Sequence, residues 1–160
     1  MPEIRRQATL FLNGVPAIED IRRTYNPIQS ALISAHVTLC REDEVNDWDR
    51  LAAQLETWRP TITLEFDRPE RNANLVFLPG NDALGAFKTL RQYLLESEKI
   101  RDHKPHITLI HPRNGECTDA TWESVKTKIE PFTYTFRHVS FILQQDGGEW
   151  QTLQDFPLND

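Results

Sequence analysis

SAHVTLCR (residues 34–41) and KPHITLIHPR (residues 104–113) spell the same tetrad, His, a β-branched apolar residue, Thr and Leu, with His36 and His106 standing 70 residues apart. A lone His-x-Thr carries little information: 5 His and 14 Thr in 160 residues would yield roughly 0.4 of them by chance. Adding an apolar middle residue and a following Leu lowers that expectation to roughly 0.01, so two copies mark a repeat. Alternation along a strand sends His36 and Thr38 to one face and Val37 and Leu39 to the other, and His106 and Thr108 are set apart from Ile107 and Leu109 in the same way.

Working outward from the tetrads, the order of elements repeats. ATLFLN (residues 8–13) reads as a strand, ended by Gly14 and Pro16. Ile18, Ile21 and Tyr25 then give a helical face closed by Asn26-Pro27. After the first tetrad strand, Val45, Trp48, Leu51, Leu55 and Trp58 recur at helical spacing up to Pro60, and TITLEF (61–66) alternates as a strand. RPERN turns the chain into ANLVFL (73–78). A helix over about 82–96 is expected to carry Leu84, Phe87, Leu90 and Leu94 inward, and the second tetrad strand follows. Thr118 caps a helix bearing Trp122, Val125 and Ile129. In the last strand region Phe132, Tyr134 and Phe136 hold one parity and Val139, Phe141 and Leu143 the other, which predicts a β-bulge near Arg137-His138. DGG (146–148) marks a hairpin turn into Trp150 and the final strand.

These readings predict an α+β fold in one domain over 1–160. Two strand-helix-strand-helix-strand lobes, approximately 1–70 and 71–160 with a terminal hairpin, are related by a pseudo-two-fold axis. Two antiparallel-rich sheets flank a central cleft, with helices outside.

Composition limits the function. Hydrophobic residues make up 39% and charged residues 26%, the balance of a soluble globular protein. No apolar run approaches the roughly 18 residues of a bilayer span, and MPEIRRQATLFLNG lacks the apolar stretch of a signal peptide. The expected location is therefore the cytoplasm, without membrane partners, and the expected state a monomer. Cys40 and Cys117 read as free thiols. A net charge of -6 with scattered Lys and Arg disfavours extended duplex nucleic acid but permits a small phosphorylated substrate in a local cationic pocket.

Two imidazoles and two hydroxyls facing one cleft suit acid-base chemistry at a phosphate. One His takes a proton from water, the other gives one to the departing sugar oxygen, and Thr38 and Thr108 donate to non-bridging oxygens. The scheme requires no metal and no cofactor. Arg41 and His111 occupy matching places five residues beyond His36 and His106. Strand parity turns them away from the cleft unless the chain bends there. Arg113, Lys104 and Arg101 are candidate anion contacts, and Phe11, Tyr25 and Trp150 could stack a base, although core packing is the commoner role of such aromatics. His138 and Ser140 form a third His-x-Ser, read as structural, and His103 reads as a solvated residue before the strand.

Two HxTx motifs in duplicated lobes resemble the two-histidine (2H) phosphoesterase superfamily, in its 2'-5' RNA ligase-like and cyclic phosphodiesterase branch. IRRTYNP, PHITLIHPRNG and the terminal DFPL extend the likeness along nearly the whole chain. The resemblance implies a metal-independent hydrolase of RNA processing or cyclic nucleotide metabolism. Its substrates would be cyclic phosphates or 2'-5' phosphodiesters of nucleotides or RNA ends, with 2',3'-cyclic phosphates opened to 2'-phosphates. By analogy, His106 becomes the base for water and His36 the acid for the leaving oxygen. Alternatives are a 2'-5' RNA ligase or phosphodiesterase, a nucleotide-binding module without turnover, and a protein-interaction domain.

Overall fold

The computed structural model describes residues 2–159. Its strands are β1 (Ile4–Phe11), β2 (His36–Cys40), β3 (Ile62–Phe66), β4 (Glu70–Asn72), β5 (Leu75–Asn81), β6 (His106–Ile110), β7 (Phe132–Phe136), β8 (His138–Gln145) and β9 (Gln151–Pro157). The helices are α1 (Pro16–Tyr25), α2 (Pro27–Leu32), α3 (Trp48–Thr57), α4 (Ala86–Leu95) and α5 (Asp119–Val125). Proline opens α1 and α2, where its missing N–H costs nothing. Asp47 and Thr118 cap α3 and α5 through side-chain oxygens that accept from Arg50 and Thr121 N–H groups.

Every strand pairing among the described residues is antiparallel. The first sheet runs β2-β1-β8-β9, and the second has β5 joined to β6 on one hand and to β4 and β3 on the other, with β7 beyond β3. Each sheet therefore places an HxT strand beside the opening strand of its own half. The next strand is taken from the other half: β8 completes the first sheet and β3 the second. The expected lobe boundary near residue 70 consequently does not separate the sheets.

This exchange corrects the reading of the last strand region. Arg137 separates β7, paired with β3, from β8, paired with β1 and β9. The change of parity is a crossover from one sheet to the other, and the bulges lie elsewhere, at Ala8/Thr9, Val76/Phe77 and Phe141/Ile142. The expected hairpin is present: Asp146 and Gly147 have φ of 52° and 71°, the paired left-handed residues of a tight primed turn. Leu84 is a second correction. It precedes Gly85, the residue before α4, and is 77% exposed instead of facing inward.

One apolar core runs through both halves, and Val37, Leu39, Ile107 and Leu109 are buried in it. Each half's first helix reaches across to the other half's HxT strand. Asn26, after α1, accepts the His111 N–H just beyond β6 at 2.8 Å, and Arg91 of α4 donates to the Leu39 carbonyl of β2 at 2.6 Å. Arg91 also forks onto Glu44, at 2.6 and 3.1 Å, and both side chains are almost wholly buried. Burial alone would raise the Glu44 pKa, but the hydrogen bonds and charge of Arg91 outweigh it and hold it below the usual value.

Candidate active site

The two HxT strands have the same burial pattern, partly exposed at His and Thr and buried at the residues between and after them. Alternation thus does what the sequence predicts. His36, Thr38, His106 and Thr108 all line one cleft of about 450 Å³.

Both imidazoles are held by the same local device. His36 Nδ1 lies 2.8 Å from the Ser34 carbonyl oxygen and His106 Nδ1 lies 3.1 Å from that of Lys104, each two residues back. A carbonyl can only accept, so each Nδ1 carries the proton and leaves Nε2 as the working atom. A phenyl ring meets each imidazole edge to face, Phe11 against His36 at 6.1 Å and Phe77 against His106 at 5.9 Å between centroids. Burial, opposed by the Ser34 hydrogen bond and reinforced by Arg22 and His106, pulls His36 from 6.5 down to about 4.

Thr38 is oriented from β1. Gln7 Nε2 donates to the Thr38 hydroxyl oxygen at 3.0 Å and to that of Thr9 at 2.8 Å. With a lone pair of Thr38 occupied, its hydrogen is free to donate elsewhere.

Arg41 and His111 both line the cleft. β2 ends at Cys40 and the chain bends into a 3-10 turn over Glu42–Glu44, while β6 ends at Ile110, so strand parity no longer governs either residue. His111 Nδ1 accepts the Arg113 N–H at 3.0 Å, and burial, with Arg113 and His106 nearby, lowers its pKa. Arg113 and Trp150 also line the cleft, and the Arg5 guanidinium lies 5.5 Å from the Trp150 ring centroid. Phe11 borders an adjoining groove, behind His36. Tyr25 packs on the core with Lys128 over its ring and does not line the cleft.

Arg101 pairs with Asp43, and Lys104 faces a separate cavity beneath α4. His103 departs from its reading as a solvated residue. It is part-buried, stacks on Phe87, and holds the Thr38 carbonyl oxygen 3.0 Å from its Nε2. His138 lies in the groove beside Ser140, whose hydroxyl bonds Asp155, and stays outside the cleft.

The sequence reading missed Arg22, Arg5, Arg6, Gln7 and Gln29, which all line the cleft. Arg22 could have been found. With Ile18, Ile21 and Tyr25 it completes the i, i+3, i+4, i+7 stripe of α1, and an arginine in an apolar stripe calls for a partner. It is 2% exposed and bonds Glu19 and the Ile33 carbonyl. No comparable signal singles out Arg5 or Gln7.

A family model described as the 2'-5' RNA ligase superfamily matches residues 12–148. The chain belongs to this superfamily, that of the 2H phosphoesterases. No curated protein matches the chain. Among solved structures, E. coli LigT complexed with NADP+ is similar over 100% of both chains, at 17% identity and a TM-score of 0.62. A structure described as a phosphoesterase matches over 99% of this chain and 100% of its own, at 18% identity and a TM-score of 0.60. A protein of Thermus thermophilus matches over 96% of this chain and 97% of its own, at 13% identity and a TM-score of 0.58. At such identities the likeness establishes a shared 2H phosphoesterase fold. No helix among the described residues is long and apolar enough to cross a membrane.

Proposed function

We propose that the cleft hydrolyses 2',3'-cyclic phosphates of nucleotides or short RNA ends to 2'-phosphates by metal-independent acid-base catalysis. The observation that carries this reading is the matched pair of imidazoles, each with Nδ1 tied to a carbonyl and Nε2 available, in a single cleft. Membership of a phosphoesterase superfamily supports it. So do structures of the similar E. coli LigT complexed with phosphate, ATP and 3'-AMP.

In this scheme His36 Nε2 takes a proton from water as the water oxygen bonds to phosphorus. The P–O3' bond breaks, and its electron pair leaves on O3' as His106 Nε2–H gives that oxygen a proton. Thr38 and Thr108 donate to the non-bridging oxygens. The assignment reverses the one suggested by analogy. A pKa pulled down to about 4 keeps His36 neutral near pH 7, which is the state a base needs and an acid lacks.

The test is turnover of the four nucleoside 2',3'-cyclic phosphates with excess chelator, with the position of the product phosphate determined. Wild type is expected to yield 2'-phosphates, and His36→Ala and His106→Ala to lose activity by about 10²-fold or more. Full activity in either variant, or loss with chelator, would overturn the scheme.

A further inference from the structure

The distribution of unpaired arginines narrows the substrate class and rests on the hydrolytic reading above. The sequence has 13 arginines, and 7 of them form ion pairs with carboxylates. The other six, Arg5, Arg6, Arg41, Arg59, Arg113 and Arg137, have no carboxylate partner among the described residues. Four of these six, Arg5, Arg6, Arg41 and Arg113, line the cleft. In a chain with 24 acidic residues against 18 basic ones, carboxylates are plentiful, so this concentration is a property of the cleft. Of the cleft's own acids, Asp43 pairs with Arg101 at 3.0 Å and Glu42 accepts the Arg6 backbone N–H at 3.2 Å, which leaves four free guanidinium groups against one carboxylate without an ion pair.

The reacting group does not need four free guanidinium groups. A cyclic phosphodiester carries a single negative charge, and the two Thr hydroxyls, the two imidazoles and the buried Arg22 already line the cleft where it would react. The positions along β1 indicate where the surplus acts. Thr9 is the cross-strand partner of Thr38, Gln7 reaches the same Thr38, and Arg5 follows two residues further along that parity. At about 3.3 Å per residue, Arg5 lies about 7 Å beyond Gln7 along the strand. Its guanidinium lies by the Trp150 ring, on the rim of the cleft.

The geometry points to a second anion-binding site on this rim, for a second phosphate carried by the substrate. On a ribose whose O2' and O3' share the cyclic phosphate, the remaining hydroxyl is O5', so the substrate class is a 2',3'-cyclic phosphate bearing a 5'-phosphate. That group is a phosphomonoester in a free nucleotide and a phosphodiester at an RNA end. Arg5 contacts it, and Arg6, Arg41 and Arg113, which line the same cleft, add to the attracting field.

The test compares kcat/KM for adenosine 2',3'-cyclic phosphate, its 5'-phosphorylated form and the dinucleotide ApA ending in a 2',3'-cyclic phosphate. Wild type is expected to favour the second-phosphate substrates by about tenfold or more, mainly through KM. The preference should shrink to within about threefold in Arg5→Gln/Arg6→Gln and persist in Arg59→Gln, whose arginine lies outside the cleft. A larger gain on the 5'-phosphorylated nucleotide assigns the site to nucleotides, and a larger gain on the dinucleotide assigns it to RNA ends. Equal kcat/KM on all three, or a preference intact in the double variant, would overturn the proposal. Adenosine 2'-monophosphate and adenosine 2',5'-bisphosphate separate this idea from hydrolysis itself. Even where no substrate turns over, the bisphosphate should bind wild type about tenfold more tightly, and equal affinity would overturn the second site.

Discussion

Asn26, closing α1, and Asn114, in the loop after β6, clasp the two halves of the chain: Asn26 Nδ2 donates to Asn114 Oδ1 at 2.9 Å, and Asn26 Oδ1 accepts the His111 N–H at 2.8 Å. Asn26 is 1% exposed, so water cannot replace these bonds. Asn26→Ala is expected to lower unfolding free energy by about 1–3 kcal/mol, since it strands a buried N–H. Gly115→Ala should act on the same contact, because its Cβ would fall 2.7 Å from Asn26 Nδ2. Urea titration of both variants checks this, and wild-type stability in both would show that the clasp contributes nothing.

The proposed division of labour between the imidazoles predicts unequal responses to the leaving group. On a phosphodiester that expels p-nitrophenolate, which needs little protonation, His106→Ala should recover most of its lost activity while His36→Ala stays impaired. The opposite pattern of rates would restore the assignment made by analogy.

Stability should fall as pH drops from about 6.5 towards 4. Across this window unfolded His36 takes up a proton at its ordinary value of 6.5, whereas folded His36 resists until about 4. The unfolded state therefore binds more protons and gains on the folded one as pH falls, and above pH 6.5 the effect is absent. His103 and His111, also shifted downward by burial, act with the same sign. Glu44, shifted downward against its burial by Arg91, loses its contribution as pH falls through its lowered value. Thermal melts between pH 4 and 7 should show a shallower slope in His36→Gln than in wild type, and an unchanged slope would count against the burial of that ring.

Arg91→Ala should destabilise the protein by about 3–5 kcal/mol, the cost of a buried ion pair broken on one side. Glu44 would be left without its partner at 5% side-chain exposure. Replacing both residues with apolar ones is expected to cost less than removing Arg91 alone. Chemical denaturation of the single and double variants decides, and a single-variant loss below about 1 kcal/mol would contradict the burial of the pair.

The parts of the fold and site that follow from local periodicity were legible in the sequence. His36, Thr38, His106 and Thr108 share a cleft because period-two alternation is set by the pleat, and the DGG turn followed from residues suited to positive φ. Arg137 marks the limit of that reasoning. A parity change looks the same in sequence whether a strand bulges or leaves one sheet for another, and only long-range pairing tells them apart. Arg5, Arg6 and Arg113 look scattered because they are distant along the chain and stand on or just after strands of different sheets, which meet at the cleft they line. His103 looked solvated because its partner, the Thr38 carbonyl, belongs to the other half and is 65 residues away.

The exchange of β3 and β8 between the sheets has a mechanical meaning. The chain crosses from one wall of the cleft to the other within each half, and α1 and α4 are bonded across as well. The walls are therefore sutured at several points and have no single hinge on which to swing apart. Neither half could be expressed alone without losing the strand that completes its sheet. A jaw braced in this way opposes widening, because moving one wall alone would strain strands and bonds anchored in the other.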